Sequence, residues 1–184
     1  MEEGKKESLL EKFFVDQLKD MYYAEQQALE VIEEMKTACT TEELEDAMEN
    51  HHKQSERHIR RLEKIFQILG QEPEGKTCEA MDGLIQECRK IISETKENSM
   101  TRDAALIIVS QKIEHYEIAS YGGLVQLAIT LNKHRAAELL DKTLNEEEAN
   151  DRLLTGIAEN DINIEAEEEK FYEMETAPVS ASAF

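Results

Sequence analysis

The 184-residue chain contains no tryptophan and few of the residues that interrupt helices or cross-link chains. It has two prolines, seven glycines and three cysteines, and only 5% of its residues are aromatic. So few prolines and glycines, beside many Glu, Lys, Leu and Ala residues, favour long helices over sheets. Hydrophobic residues still make up 40% of the chain, which excludes wholesale disorder and is enough for one domain with a real core.

Basic residues are scarce as well, since 21 Lys and Arg residues stand against 41 Asp and Glu residues and the formal net charge is −20. Such a charge keeps a protein soluble, repels nucleic acids and anionic membranes, and attracts cations. The cysteines are odd in number and form no C-x-x-C pair, which indicates a reduced compartment. No apolar signal segment follows Met1, and no run is long enough to span a bilayer. We therefore expect a cytoplasmic protein that binds neither nucleic acid nor membrane.

Apolar residues repeat with helical spacing over four long segments and one shorter segment. The first helix is predicted from Ser8, which has the N-cap and capping-box spacing, to Lys36. The second runs from Thr41 to Leu69 and stops at Gly70. A shorter helix is predicted over 78–96, and the third long helix over 102–131. A reversal at 132–134 then leads into the fourth long helix.

This order gives a helical hairpin, a long crossover with its own helix, and a second helical hairpin. A four-helix bundle with one long crossover connection is the ferritin-like arrangement, so the predicted fold class is all-α and ferritin-like. We place the bundle domain at residues 1–164. Residues 165–184, which change from acidic to small polar, are predicted to form an acidic and poorly ordered tail.

Each long helix has polar residues near the middle of its apolar stripe. They are Glu25 in the first helix, His51 in the second, Glu114 and Glu117 in the third, and Glu147 and Asp151 in the fourth. A buried carboxylate without a partner is so unfavourable that it is normally neutralised, paired or bound to a metal. Several carboxylates that converge at one level of a four-helix bundle predict a dinuclear metal site.

The register of the first hairpin supports this convergence. Helical rise is constant, so residues equally far from a tight turn lie at the same height. A turn centred near residue 39 puts Glu25 level with about residue 53, within a turn of His51 and Gln54. His58 lies on the same face of the second helix as His51 and is a further candidate.

The second hairpin gives the same result. A turn centred between residues 132 and 133 puts Glu114 level with about residue 151 and Glu117 with about residue 148. Glu114 and Glu117 share one helix face, as do Glu147 and Asp151. Any one of these residues taken alone could instead be a solvated residue at the edge of its stripe. Agreement among four helices favours the metal site.

Several segments resemble the ferritin-like YciE/YciF family of bacterial stress-associated proteins. The resemblance covers about residues 8–160 and is most specific in the third long helix and the crossover. The matching segments are DMYYAEQQ from Asp20, HHKQSERHIRRLEKIF from His51, CEAMDGLIQE from Cys78, RDAALI from Arg102, EHYEIASYGGL from Glu114 and TLNEEEANDRLL from Thr143.

The resemblance implies a ferritin-like bundle, a homodimer, and carboxylate ligands placed as in rubrerythrin. Two departures reduce the ligand set. The ferritin-type E-x-x-H pairs are absent at the expected levels, because Gln54 stands where family members often have Glu and Asp151 stands in place of a His.

Two functions follow. The first is a stress-associated protein with two iron or manganese ions per chain that reacts with peroxide or dioxygen, as a di-metal carboxylate oxidase or peroxidase would. Its predicted ligands are Glu25, His51, Gln54, Glu114, Glu117, Glu147 and Asp151. The alternative is a non-catalytic, dimeric stress or interaction protein that keeps the bundle and has lost the metal, which the absent E-x-x-H pairs favour.

Overall fold

Four long helices and one crossover helix build the bundle in the computed structural model, which describes residues 8–169. Helices α1 and α2 form the first antiparallel hairpin, α3 lies in the crossover, and α4 and α5 form the second hairpin. The bounds are α1 Leu9–Ala38, α2 Glu42–Leu69, α3 Glu79–Glu94, α4 Met100–Thr130 and α5 His134–Ile157. The predicted all-α, ferritin-like four-helix bundle is therefore confirmed.

The helix ends fall within two residues of the predicted positions because local capping sets them. The Ser8 hydroxyl accepts a hydrogen bond from the Glu11 amide at 3.0 Å and begins α1. Gly70, in the left-handed region at a φ of 68°, ends α2. Gly122 and Gly123 lie inside α4, and a Cβ at either position would meet no atom of the described residues within 4 Å, so packing against another helix does not require glycine there.

Asp103, at the start of α4, joins the two hairpins. Its side chain is fully buried and accepts hydrogen bonds from the amides of Thr40 and Thr41 at 2.7 and 2.8 Å and from the Thr41 hydroxyl at 2.8 Å. These bonds fix the turn between α1 and α2 against the first turn of α4. The relative height of the two hairpins is thus set at this end of the bundle.

The crossover helix α3 packs against α1 and α4 and covers that side of the bundle. Beyond α5, one π-helical turn over Ala158–Ile162 leads into α6 over Asn163–Glu168. Glu169 accepts hydrogen bonds from the amides of Met100 and Thr101 at 2.8 and 3.0 Å, so this part of the proposed tail contacts the start of α4. Residues 170–184 lie outside the described residues, and the division into domain and tail stays a prediction.

Within residues 8–169, every helix is too short or too polar to span a bilayer.

Candidate metal centre

Six ionisable side chains from all four long helices are buried together in the middle of the bundle. Each is at most 4% exposed. They are Glu25 from α1, His51 and His58 from α2, Glu114 and Glu117 from α4, and Glu147 from α5. Their ligand atoms form two overlapping groups in which all atoms lie within 4.8 Å of one another.

The first ligand group consists of Glu25, His58 and Glu147. The distance from His58 Nδ1 is 2.7 Å to Glu147 Oε1 and 3.4 Å to Glu25 Oε1. The imidazole nitrogen therefore lies between carboxylates from two different helices.

The second ligand group consists of His51, Glu114, Glu117 and Glu147. His51 Nδ1 lies 3.1 Å from Glu114 Oε1, and His51 Nε2 lies 3.6 Å from Glu147 Oε2. Glu147 is shared by both groups, so its two carboxylate oxygens stand between them.

Nine nitrogen and oxygen atoms of these six side chains form no hydrogen bond of good geometry with another described residue, although His58 Nδ1 lies 2.7 Å from Glu147 Oε1. They include both oxygens of Glu114, Glu117 and Glu147. Buried polar atoms are almost always hydrogen-bonded, so nine in one cluster require another partner. A cation satisfies carboxylate oxygens and imidazole nitrogens at the same time.

The spacing of these atoms fits a cation. Adjacent ligand atoms about 2.1 Å from an octahedral ion lie about 3 Å apart. The four distances among the ligand atoms, 2.7, 3.1, 3.4 and 3.6 Å, are of this size. Four glutamates also carry four negative charges when ionised, which two divalent cations balance while both histidines stay neutral.

Without a cation, part of the cluster must be protonated. Burial, together with the charge of Glu147, raises the pKa of Glu114 well above its usual range. Burial and the charges of Glu25 and Glu147 do the same to the pKa of Glu117. Burial also raises the pKa of Glu25, against the opposing effect of His58.

The surroundings shift the pKa values of the two histidines in opposite directions. Burial lowers the pKa of His51 to about 4, so this imidazole stays neutral and suited to bind a metal. Burial also lowers the pKa of His58, but Glu25 and Glu147 outweigh it and raise that pKa to about 10. The neighbouring His58 in turn holds the pKa of Glu147 below its usual range, although burial acts to raise it.

Side chains outside the cluster fix the first ligand group. Glu146 Oε2 lies 2.9 Å from His58 Nε2 and accepts a hydrogen bond from Arg61 Nη1 at 2.8 Å, while Glu146 Oε1 accepts one from Arg61 Nη2 at 2.8 Å. The Tyr121 hydroxyl donates to Glu25 Oε1 at 2.5 Å. Such contacts orient a metal-binding imidazole and raise its basicity. His58 therefore presents Nδ1 to the cluster and Nε2 to Glu146.

Sequence reasoning did not single out Glu146 and Arg61. Glu146 precedes Glu147 in a run of three glutamates, where an acidic run reads as solvated surface. Arg61 is three residues after His58, so both lie on the same helix face. This spacing is the feature of the sequence that could have identified Arg61 as a neighbour of His58.

Two predicted ligands lie outside both groups. Gln54 Oε1 accepts a hydrogen bond from Asn150 Nδ2 at 2.5 Å, so its carbonyl oxygen is already paired. Asp151 Oδ1 accepts one from Gln111 Nε2 at 3.1 Å and lies 3.3 Å from His115 Nδ1 at the rim of the bundle. Neither residue joins the clustered atoms.

The contact of Glu25 with His58 follows from the direction of helical side chains. The first turn is centred at residue 40, midway between Ala38 and Glu42, which puts Glu25 level with about residue 55. Side chains lean toward the N-terminus of their helix, so Glu25 leans away from the turn and a partner on α2 leans toward it. The end of the Glu25 side chain therefore meets that of a residue a few positions farther along α2, which is His58.

The fold and the buried cluster define a ferritin-like helical bundle with a candidate carboxylate–histidine metal centre. The chain belongs to the family described as "Domain of unknown function (DUF892)", which matches residues 9–167. It is similar to protein YciF of Escherichia coli K12, with 40% identity over 159 residues that make up 86% of this chain and 95% of that protein.

Two solved structures give the same result. The crystal structure of the E. coli stress protein YciF matches with a TM-score of 0.80 and 39% identity over 85% of this chain and 98% of that one. YcfI from Rhodopseudomonas palustris matches with a TM-score of 0.78 and 34% identity over 83% of this chain and 96% of that one. The resemblance to YciE/YciF proteins and the predicted bundle are both confirmed.

Proposed function

We propose that this protein binds two iron or manganese ions in the core of its bundle and reacts with peroxide or dioxygen as a stress protein. The observation that carries this proposal is the set of nine buried ligand atoms without hydrogen-bond partners among residues 8–169. The stress role is supported by the similarity to the E. coli stress protein YciF.

The ligands divide between the two ions. Glu25 and His58 would hold one ion, His51, Glu114 and Glu117 would hold the other, and Glu147 would be common to both sets. Mixed carboxylate and imidazole sets of this kind suit iron and manganese. When bound, the ions supply Lewis acidity and one-electron redox chemistry toward oxygen species.

The surrounding residues keep this pocket dry and ordered. Tyr121 holds Glu25 through its hydroxyl, and Glu146 holds His58 through Nε2. The apolar side chains of Met21 and Met48, about one helical turn from Glu25 and His51, are buried and limit the contact of the cluster with solvent. A water-excluded site strengthens the interaction between the carboxylates and a cation.

A second function, a non-catalytic stress or interaction protein, is favoured by the first ligand group. A protonated His58 between Glu25 and Glu147 neutralises part of the cluster with no metal at all.

Under both functions we expect a homodimer, and light scattering should give twice the mass of one chain.

Elemental analysis separates the two functions. Protein purified without chelator, and again after anaerobic loading with iron(II) or manganese(II) and desalting, should retain about two ions per chain. The control is Glu148→Gln, because this partly exposed neighbour of Glu147 pairs only with Arg152 among the described residues. It should retain as much metal as wild type. Wild-type protein that retains no metal under any of these conditions would contradict the metal function and leave the non-catalytic one.

A further inference from the structure

The four sides of the bundle are not equally covered. Helix α3 packs across α1 and α4, whereas no described element covers the seam between α2 and α5. Most of the central part of that seam is bridged by polar contacts. Gln54 pairs with Asn150, His58 with Glu146, and Arg61 with Glu146 and Thr143.

One stretch of the seam, nearer to the start of α2, contains a small cavity instead of a polar bridge. Its volume is about 10 Å³, and its inner wall includes His51 and Glu114 of the second ligand group. That is about the space that one water molecule needs. His51 Nε2 and both Glu114 oxygens have no hydrogen-bond partner among residues 8–169.

The outer wall of this cavity is apolar except for Asn150. It includes Ala47 and Met48 from α2 and Leu153 from α5. Leu153 is 48% exposed, whereas Ala47 and Asn150 are at most 8% exposed. Leu153 is therefore by far the most exposed side chain that lines the cavity. A change of its rotamer takes no more than nanoseconds.

We propose that this cavity is the access route and binding position for a small, uncharged oxidant, with Leu153 as its cover. The inference rests on the proposed metal function and adds the class of substrate. A volume near that of one water molecule admits hydrogen peroxide or dioxygen after a small movement of Leu153 and excludes alkyl hydroperoxides. The net charge of −20 disfavours anionic oxidants.

The test uses nitric oxide, an uncharged diatomic probe, with the iron(II)-loaded protein in stopped-flow absorption. Leu153→Ala should speed nitric oxide association several-fold, because the shorter side chain leaves the cavity open. The variant should still fold, since Leu153 is about half exposed. Ala47→Leu, which fills the cavity from the α2 side, should slow association several-fold. Ile108→Ala removes a similarly exposed side chain from α4 and should leave the rate unchanged.

A second measurement checks the size limit. The ratio of iron(II) oxidation rates with hydrogen peroxide and with tert-butyl hydroperoxide should be high in wild type and fall several-fold in Leu153→Ala. Iron content, measured on the same samples, separates the two proposals. Iron-loaded variants with unchanged association rates would overturn the access route alone, whereas wild-type protein without iron would overturn both.

Discussion

The two ligand groups differ in what holds them. In the first, Glu146 and Arg61 fix His58, and Tyr121 fixes Glu25. In the second, neither Glu114 nor Glu117 has a hydrogen-bond partner for either oxygen among the described residues. The first group is therefore held in place by hydrogen bonds from outside the cluster, while the second is not. The proposed metal function then predicts two ions of unequal affinity, and the metal-free protein should be strained at the second group.

Removing the shared ligand should break both groups and gives the largest effect. Glu147→Gln keeps the size of the side chain but removes the charge between the two groups. We expect retained metal to fall from about two ions per chain to at most about one, measured by elemental analysis after desalting. Retention of two ions by this variant would show that the bridging role assigned to Glu147 is wrong.

A change that disturbs only the first ligand group should weaken metal binding less than Glu147→Gln does. Glu146→Gln removes the carboxylate that fixes His58, and loss of such a contact typically weakens metal binding about 10- to 100-fold. Cobalt(II) titration followed by calorimetry should show this loss for one of the two ions and little change for the other. An equal loss at both ions would contradict the division into two groups.

The strain at the second group should appear as a pH dependence of the metal-free protein. Burial raises the pKa values of Glu114 and Glu117, so the folded chain keeps protons that the unfolded chain has lost, and stability falls as pH rises above their usual value of 4.5. The stabilisation from His58, whose pKa is about 10, likewise declines above its usual value of 6.5. Burial lowers the pKa of His51 to about 4, so above pH 6.5 this histidine is neutral in both the folded and the unfolded chain. Its contribution to the free energy of unfolding then no longer changes with pH. Every shift among these four residues therefore lowers or leaves unchanged the free energy of unfolding as pH rises from 6.5 to 8.5.

Urea unfolding of the metal-free protein across this pH range measures the effect, which is at most about 1.4 kcal/mol per pH unit for each proton. Glu117→Gln should make the slope shallower and raise stability at pH 8 by about 1–3 kcal/mol, because a glutamine needs neither to take up a proton nor to bury a charge on folding. Stability that rises with pH in the metal-free protein would be the opposite of this expectation.

The smallest effect is expected at a predicted ligand that the structure leaves at the rim. Asp151→Asn keeps a side chain able to contact Gln111 and changes only a partly exposed carboxylate. Retained metal and its affinity should stay within about twofold of wild type, measured by the same titration. A loss like that of Glu147→Gln would place Asp151 among the ligands.

The helix pattern predicted the bundle well because its signals are local. Ser8, Thr41 and Gly70 set helix ends through contacts with their own neighbours. The height of a residue also follows from helical rise, which is why Glu114, Glu117 and Glu147 were expected near one level. Height does not fix the direction of a side chain, and Asp151 has a suitable height but points to the rim. The contacts of Glu146 with Arg61 and His58 join two helices, so no periodicity within one helix reveals them.

The three hydrogen bonds of Asp103 have a consequence for assembly of the two hairpins. Repeating apolar stripes can dock in several registers that differ by one turn, about 5.4 Å. A slip of that size would separate Glu25 and His58 on one hairpin from Glu147 on the other. Only the native register brings Asp103 to the amides of Thr40 and Thr41. This single carboxylate, about three helical turns before Glu114 on α4, therefore marks the correct alignment of the halves and decides whether the buried glutamates and histidines of the two hairpins can meet.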